Sequence, residues 1–355
     1  MIESIEINGY KCFEELKLSG LRPVNVLVGR NAAGKTALLE AIRLALGATP
    51  TIAFNLLAGR GGYFPLQTLQ TPEQFAVIWI PMFFDFDMKR QINFKITDTS
   101  TQTASLKLFF DTQKAITLSG IDSQDKSVSS LVTLITPLAF ERVSGNGKSD
   151  VLYASVNQHG IVFDQGLELI TSSVFFPSNW QSDAQVAGQF SQLSIAKETV
   201  DIIEIVRSQF PEIDELSIEA PMGRPNIYAT TKHNSYKLPV SSISSGILKF
   251  ISIMTVINSN KNGVVLIDEI ENGIYYKIFP ALWETLHSLA LKCNTQIFLS
   301  THSWEFLSAS TPLLNEFKDD FSLIQLSQEE GTASAAVGRG EDAAAAIESG
   351  IEVRW

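Results

Sequence analysis

Three features of this 355-residue chain predict an α/β fold built on a mixed, largely parallel sheet. Val24-Asn25-Val26-Leu27-Val28 is a short apolar run rich in β-branched residues, which suits a buried parallel strand. It runs through a glycine-bounded loop into Lys35 to Leu46, where Leu38, Leu39, Ile42 and Leu46 share one helical face. From Ser241 onward, helix and strand signals alternate as in βαβ units.

Each element can be placed in turn. Ile2 to Gly9 alternates apolar and polar residues and reads as a strand rather than a leader segment; Leu16 to Ser19 is its return. The stretch from about 51 to 180 is β-rich, with strand-like pieces at Gln91–Ile96, Ser105–Phe110, Val151–Val156 and Ser172–Phe176. Ser182 to Gln209 is helical and stops at Pro211; strand-like pieces follow at Leu216–Glu219 and Asn226–Thr230. The last part reads as helix Ser245–Asn258, strand Gly263–Asp268, helix Pro280–Lys292, strand Thr295–Ser300 and helix Trp304–Phe317. A strand near Phe321–Leu326 and an Ala-rich helix near Asp342–Glu348 close the chain. The expected organisation is one head with a discontinuous core, 1–50 and 240–355. A β-rich lobe (about 51–180) and a helical lobe (about 181–240) are inserted in it.

Composition narrows the function. With 45% hydrophobic and 18% charged residues, the chain can fill a core and has little disordered character. A net charge of -11 argues against a surface that grips nucleic acid over its whole extent. Cys12 and Cys293 are too far apart in sequence to suggest a disulfide framework or zinc pattern. The longest apolar run, Phe75 to Phe84, is too short to span a bilayer and contains Pro81. The expected location is the cytoplasm.

Gly29-Arg30-Asn31-Ala32-Ala33-Gly34-Lys35-Thr36 matches G-x-x-x-x-G-K-[ST], a pattern that chance gives about one chain of this length in a hundred. Glycines at both ends let the backbone wrap around phosphate oxygens, and its amides are backed by the positive end of the following helix. Lys35 is expected to reach the β- and γ-phosphates and Thr36 to ligate Mg²⁺, with Ala37 completing the ATP-binding segment. Val264 to Glu269 is an apolar strand ending in two carboxylates, delivered to the sheet edge where ligands bind. There Asp268 would hold the Mg²⁺ shell and Glu269 would activate water. Gln296 to His302 reads as a second buried strand that ends in His302, which is placed to sense the γ-phosphate; His159, His233 and His287 have no such setting.

This order of motifs resembles the ABC-type ATPase heads of the RecF, SMC and OLD group. It is most similar to short OLD-like, AAA-type bacterial ATPases that lack a Toprim nuclease domain. In that likeness Gly29–Thr36 is Walker A, Val264–Glu269 is Walker B, and Ile270-Glu271-Asn272-Gly273 is the D-loop. Thr301-His302-Ser303 carries the switch histidine, and Ile347 to Glu352 is similar to the family's C-terminus. Ser244-Ser245-Gly246 looks like a degenerate ABC signature; the same residues also suit a plain helix N-cap. The likeness covers 1–50 and 240–355 well. It implies a P-loop NTPase of ABC-ATPase type that hydrolyses ATP with Mg²⁺ in a homodimer or higher assembly. Ser244, Ser245 and Gly246 would then act in trans, with Asn272 and Gly273 between the sites. A Q-loop glutamine has candidates in Gln67 and Gln70, and Gly59-Arg60-Gly61-Gly62 reads as a turn. Only about fifty residues follow His302, with no acidic cluster for a nuclease, and the middle lacks heptads for a coiled coil.

The resulting expectation is a switch that controls a separate effector, a nuclease or toxin, in antiphage defence. Two other readings stay open: a RecF-like DNA repair ATPase that clamps DNA, and an ATP-binding scaffold of slow turnover. Membrane association is not expected.

Overall fold

The computed structural model describes residues 1–59, 72–118, 133–157, 160–166, 171–178, 184–232, 234–329 and 331–350. Arg60, Gly61, Gly62, Gln67, Gln70, His159, His233, Ile351 and Glu352 lie outside these residues. The chain order opens with β1 (Ile2–Tyr10), β2 (Phe13–Ser19), β3 (Val24–Val28), α1 (Lys35–Gly47), α2 (Pro50–Ala58) and α3 (Pro72–Trp79). Next come β4 (Ile92–Asp98), β5 (Thr103–Phe110), β6 (Ile116–Leu118), β7 (Thr133–Ile135), β8 (Leu138–Val143), β9 (Ser149–Asn157), β10 (Gly160–Phe163) and β11 (Ser173–Phe176). Then follow α4 (Ala184–Ile195), α5 (Val200–Gln209), β12 (Ile213–Glu219), β13 (Asn226–Thr231), β14 (Leu238–Pro239), α6 (Val240–Ile243) and α7 (Ser245–Ser259). The chain continues with β15 (Val264–Ile267), α8 (Phe279–Lys292), β16 (Gln296–Ser300), α9 (Trp304–Glu316), β17 (Phe321–Glu329), β18 (Thr332–Arg339) and α10 (Gly340–Glu348).

The parallel sheet has the order β11-β15-β16-β3-β17, with β18 antiparallel at one edge. Its central strands β15, β16 and β3 are largely apolar and buried along their whole length because both faces are covered. Val24, Val26, Val28, Val265, Ile267, Ile297 and Leu299 pack in one core with α7, α8 and α9. Leu27, Val264, Leu266, Phe298, Ile324 and Leu326 pack in the other with α1. The period of two along each strand sorts these residues between the faces. A buried polar exception, Asn25, is satisfied: it donates to Arg22 O and Ile297 O and accepts from Ser322 Oγ at 2.7 Å.

A second sheet of seven antiparallel strands runs β10-β9-β8-β5-β4-β1-β2. It joins the chain's first two strands to strands of the β-rich stretch. α1 belongs to a single core with Ile5, Ile7 and Leu18 of this sheet and with Leu27, Leu266 and Phe298 of the parallel one. That explains why nearly every α1 residue is buried, Lys35 and Glu40 included. Ser173–Phe176 lies in the expected β-rich lobe, yet it is hydrogen-bonded in parallel to β15 and forms the sheet edge nearest the Walker B strand.

Two helices of the middle stretch are not predicted by the sequence pattern. α2 starts where Thr49 accepts from Ile52 N and Pro50 takes the first helical position, a start signal that short length obscures. α3 carries Phe75 and Trp79 into the core, where Trp79 meets Phe54, Phe75, Phe140 and Phe163 at edge-to-face angles. The expected helix Ser182–Gln209 is instead two helices. The break comes after Ile195, where Lys197 takes a positive φ of 61° and Glu198 N returns to Leu193 O at 2.8 Å. β18 is likewise beyond what the pattern predicts; its small residues, Ala333 to Val337, pair across to β17 as an edge strand.

Candidate functional site at the carboxyl edge of the parallel sheet

The phosphate loop leaves β3 at Val28. Gly29 has φ 146°, and a Cβ there would sit 2.4 Å from Leu326 O of β17, so only glycine fits. Gly34 caps α1 in a left-handed conformation, φ 100°, with Cys12 Sγ and the Phe13 ring against it. Lys35 is buried, and its Nζ donates to Gly29 O (2.7 Å) and Arg30 O (2.9 Å). Burial pushes its pKa down to about 8; the Asp268, Glu269 and Glu271 carboxylates oppose that shift.

This sets a pH prediction. If Lys35 pairs with triphosphate oxygens, as the phosphate-loop motif implies, these favour the ammonium form and the complex should hold Lys35 at a higher pKa than the free protein does. Binding must therefore take up a proton above about pH 8. Between pH 7 and 9, ATP affinity should fall about tenfold as free Lys35 loses its proton. Calorimetry at pH 8.5 in two buffers of different ionisation heat reads the uptake directly; equal heats in both would remove Lys35 as the group responsible.

The structure places Thr36 and Asp268 in contact. Thr36 Oγ1 donates to Asp268 Oδ2 at 2.8 Å, and Ser300 Oγ donates to Asp268 Oδ1 at 2.6 Å. Ser300 Oγ also accepts from Glu269 N at 2.8 Å, so one hydroxyl orients both acidic residues. A hydroxyl and one carboxylate, with phosphate oxygens and water, form the hard oxygen set that Mg²⁺ takes. Thr36, Asp268 and Glu269 open together into a cavity of about 920 Å³. Gln185, at the start of α4, lines the same cavity.

Glu269 has φ 47°, an unusual conformation for a non-glycine residue and one that collects at functional sites. Its surroundings hold it there. Asn272 Nδ2 donates to Glu269 Oε2 (2.5 Å), and Asn272 N donates to Glu269 O (3.1 Å). Lys249 of α7 is buried and donates to Glu269 O (2.9 Å) and Asn272 O (3.1 Å). Burial pushes the Lys249 pKa down to about 8, against the pull of Glu271, Glu269 and Asp268. Neither Lys249 nor Ser300 stands out in the sequence; the one available signal for Lys249 is a lone charge in an apolar helix.

His302 is half-buried just past β16. Burial lowers its pKa, and the nearby Lys35 cation adds to that, against three carboxylates. A neutral imidazole is therefore the form present at neutral pH. Glu271 Oε1 accepts from His302 N at 2.7 Å and from Ser303 N at 3.1 Å.

The Ser-Ser-Gly turn opens α7 as its N-cap. Ser244 is the N-cap of α7 and accepts from Ile247 N at 3.4 Å, while Ser245 is exposed. Gly246 lies against the expected D-loop: a Cβ on it would be 2.1 Å from Gly273 O. Gly246→Ala is thus expected to cost about 1–3 kcal/mol through forced backbone displacement. Urea unfolding reads this as a lower midpoint; an unchanged midpoint would mean the contact does not persist in solution.

Two family profiles match the chain. One, described as an AAA domain, putative AbiEii toxin, type IV TA system, covers residues 152–308; the other, an AAA domain, covers 4–133. An ATP/GTP phosphatase of Helicobacter pylori is 24% identical over 355 residues, 93% of each chain. An uncharacterized protein of Methanocaldococcus jannaschii is 44% identical over 48 residues, 14% of this chain and 22% of its own. Among solved structures, an SMC head bound to the C-winged helix domain of ScpA aligns with a TM-score of 0.50 at 12% identity, covering 96% of this chain and 99% of that one. The SMC head domain from Thermotoga maritima aligns with a TM-score of 0.43 at 12% identity, covering 94% and 98%. The fold is that of the ABC-type ATPase heads of the RecF and SMC group. Its phosphate loop and its matches to AAA domain profiles are those of a P-loop, ATP-binding protein. No helix among the described residues is long and apolar enough to cross a membrane.

Proposed function

We propose that this chain hydrolyses ATP as a dimeric switch and that its closure controls a separate effector protein. The observation that carries the reading is the convergence of Lys35, Thr36, Asp268 and Glu269 on one edge of the sheet, with His302 beside them. In this reading the amides of Gly29 to Ala37 cradle the phosphates, and Lys35 exchanges its carbonyl partners for phosphate oxygens. Thr36 and Asp268 would hold Mg²⁺, and the ion would supply charge neutralisation at the phosphates. Glu269 orients and deprotonates the attacking water. His302 hydrogen-bonds the γ-phosphate.

Ser244, Ser245 and Gly246 of one subunit cover the γ-phosphate held by the other, and Asn272 and Gly273 lie between the two sites. Exposure supports this arrangement. Ser245, Asn272 and Gly273 are all exposed, and they continue into an exposed aromatic pair, Tyr275 and Tyr276, with ring centroids 4.8 Å apart. Exposed neighbouring aromatics are a mark of protein interfaces. The effector is inferred from the toxin-type description of the profile over 152–308 and from the ScpA-bound SMC head among the structural neighbours. A nuclease or toxin acting in antiphage defence is the partner class proposed.

The test is light scattering of Glu269→Gln with and without MgATP. A mass that doubles only with MgATP supports the switch, and the trapped form then serves as bait for the products of neighbouring genes. A monomer that binds ATP without a change of mass removes the dimer from the proposal.

A further inference from the structure

Glu271 is a charged residue that the site chemistry described above does not use. It sits between the catalytic candidate Glu269 and the exposed Asn272–Gly273 loop. Its Oε1 accepts the two amides that carry His302 into α9, at 2.7 and 3.1 Å. Its Oε2 is buried, with no hydrogen-bond partner among the described residues. The turn bearing it is fixed at both ends. Ile270 N donates to Ser300 O at 3.1 Å, and Ile274 N donates to Glu271 O at 3.0 Å. At its far side, Gly273 O lies against Gly246 of the signature-like turn.

These contacts form a continuous line: signature-like turn, Gly273, Glu271, and the backbone of His302. Gly246 packs on Gly273 O, Gly273 joins Glu271 through the chain and the Ile274 N–Glu271 O hydrogen bond, and the Glu271 carboxylate holds the His302 and Ser303 amides, so a path of direct contacts leads from Asn272–Gly273 to the His302 peptide. We propose that Glu271 is a positioning residue that couples the subunit-facing Asn272–Gly273 loop to His302, so that hydrolysis proceeds fully only when a second copy of this chain is docked. The proposal rests on the dimeric reading above and on His302 as the γ-phosphate contact. A merely structural role, an anion holding the first amides of a helix, predicts the same hydrogen bonds but no dependence on the imidazole.

The experiment is a double-mutant cycle in the full chain, read by ATPase rate at saturating MgATP and by fluorescent-nucleotide affinity. Glu271→Ala is expected to lower kcat by roughly a hundredfold, the scale of a misplaced catalytic group. Nucleotide affinity should stay within about threefold. Glu271→Gln keeps an acceptor for the two amides and should restore most of the rate.

In the His302→Ala background, Glu271→Ala should cost less than about twofold more, because the residue it positions is already gone. A full, multiplicative loss in that background would make Glu271 a structural anchor and overturn the proposal. So would an unchanged kcat in Glu271→Ala. If Glu271→Ala does not fold by circular dichroism, Glu271→Asp, which withdraws the carboxylate by one methylene, runs the same cycle with the same expected pattern. Failure of the underlying reading looks different: wild-type rate per chain would not depend on protein concentration, and His302→Ala alone would leave kcat intact, which removes the proposal as well.

Discussion

Glu269→Gln is expected to lower ATP turnover by about 10³-fold while ATP binding stays within a few-fold of the original. Glutamine keeps the size of the side chain and an oxygen that can still accept from Asn272 Nδ2, so the turn holding φ 47° is retained. Its amide cannot accept the proton of the attacking water. The variant should then accumulate with intact ATP, seen by acid quench as bound triphosphate rather than diphosphate. Turnover close to the original would mean that another group activates water. Glu269 would then be a structural member of the turn, held by Ser300, Lys249 and Asn272 for reasons of folding alone.

Lys35→Met is expected to reduce kcat/KM by roughly 10³-fold, the scale seen when a preorganised charge-bearing donor is removed from a phosphoryl-transfer site. Methionine approximates the length of the stem and leaves the burial in place, so what is lost is the ammonium. The stability effect should be small. Two hydrogen bonds to Gly29 O and Arg30 O disappear, but so does a buried cation whose depressed pKa reports an unfavourable setting. An unfolding midpoint within a few degrees of the original, with activity lost, separates the functional role from a folding role. A large fall in midpoint together with the loss of activity would instead assign Lys35 to holding the loop.

Much of the site is legible in the order of residues alone. The phosphate loop announces itself because its chemistry is local: two glycines, a lysine and a threonine at fixed spacing, between a strand and a helix. The acidic strand end and His302 are legible for a related reason, since each closes an apolar run that has to be buried. The remaining positioning groups are not. Ser300 reaches Asp268 and Glu269 across about thirty residues, Glu271 reaches His302 N across 31, and Lys249 reaches Glu269 O across 20. No periodicity or spacing records which distant hydrogen bonds will form. Gln67 and Gln70, the Q-loop candidates of the sequence, lie outside the described residues. Gln185 lines the same cavity as Thr36 and Asp268, 149 residues beyond Thr36 in sequence, a placement that no local spacing records.

The amino-acid sequence by itself determined the elements and the chemistry that short stretches carry: buried strands 24–28, 264–267 and 296–300, the helix behind the phosphate loop, and the residue types suited to phosphate and magnesium. Tertiary structure alone decided the partners. It placed β11 beside β15 in the parallel sheet, and it merged β1 and β2 with the strands of the middle stretch into one antiparallel sheet. The reason is physical. Strand formation follows from a residue's neighbours in sequence, but strand pairing follows from which apolar faces can be buried together. Here both sheets bury theirs against the same helix, α1.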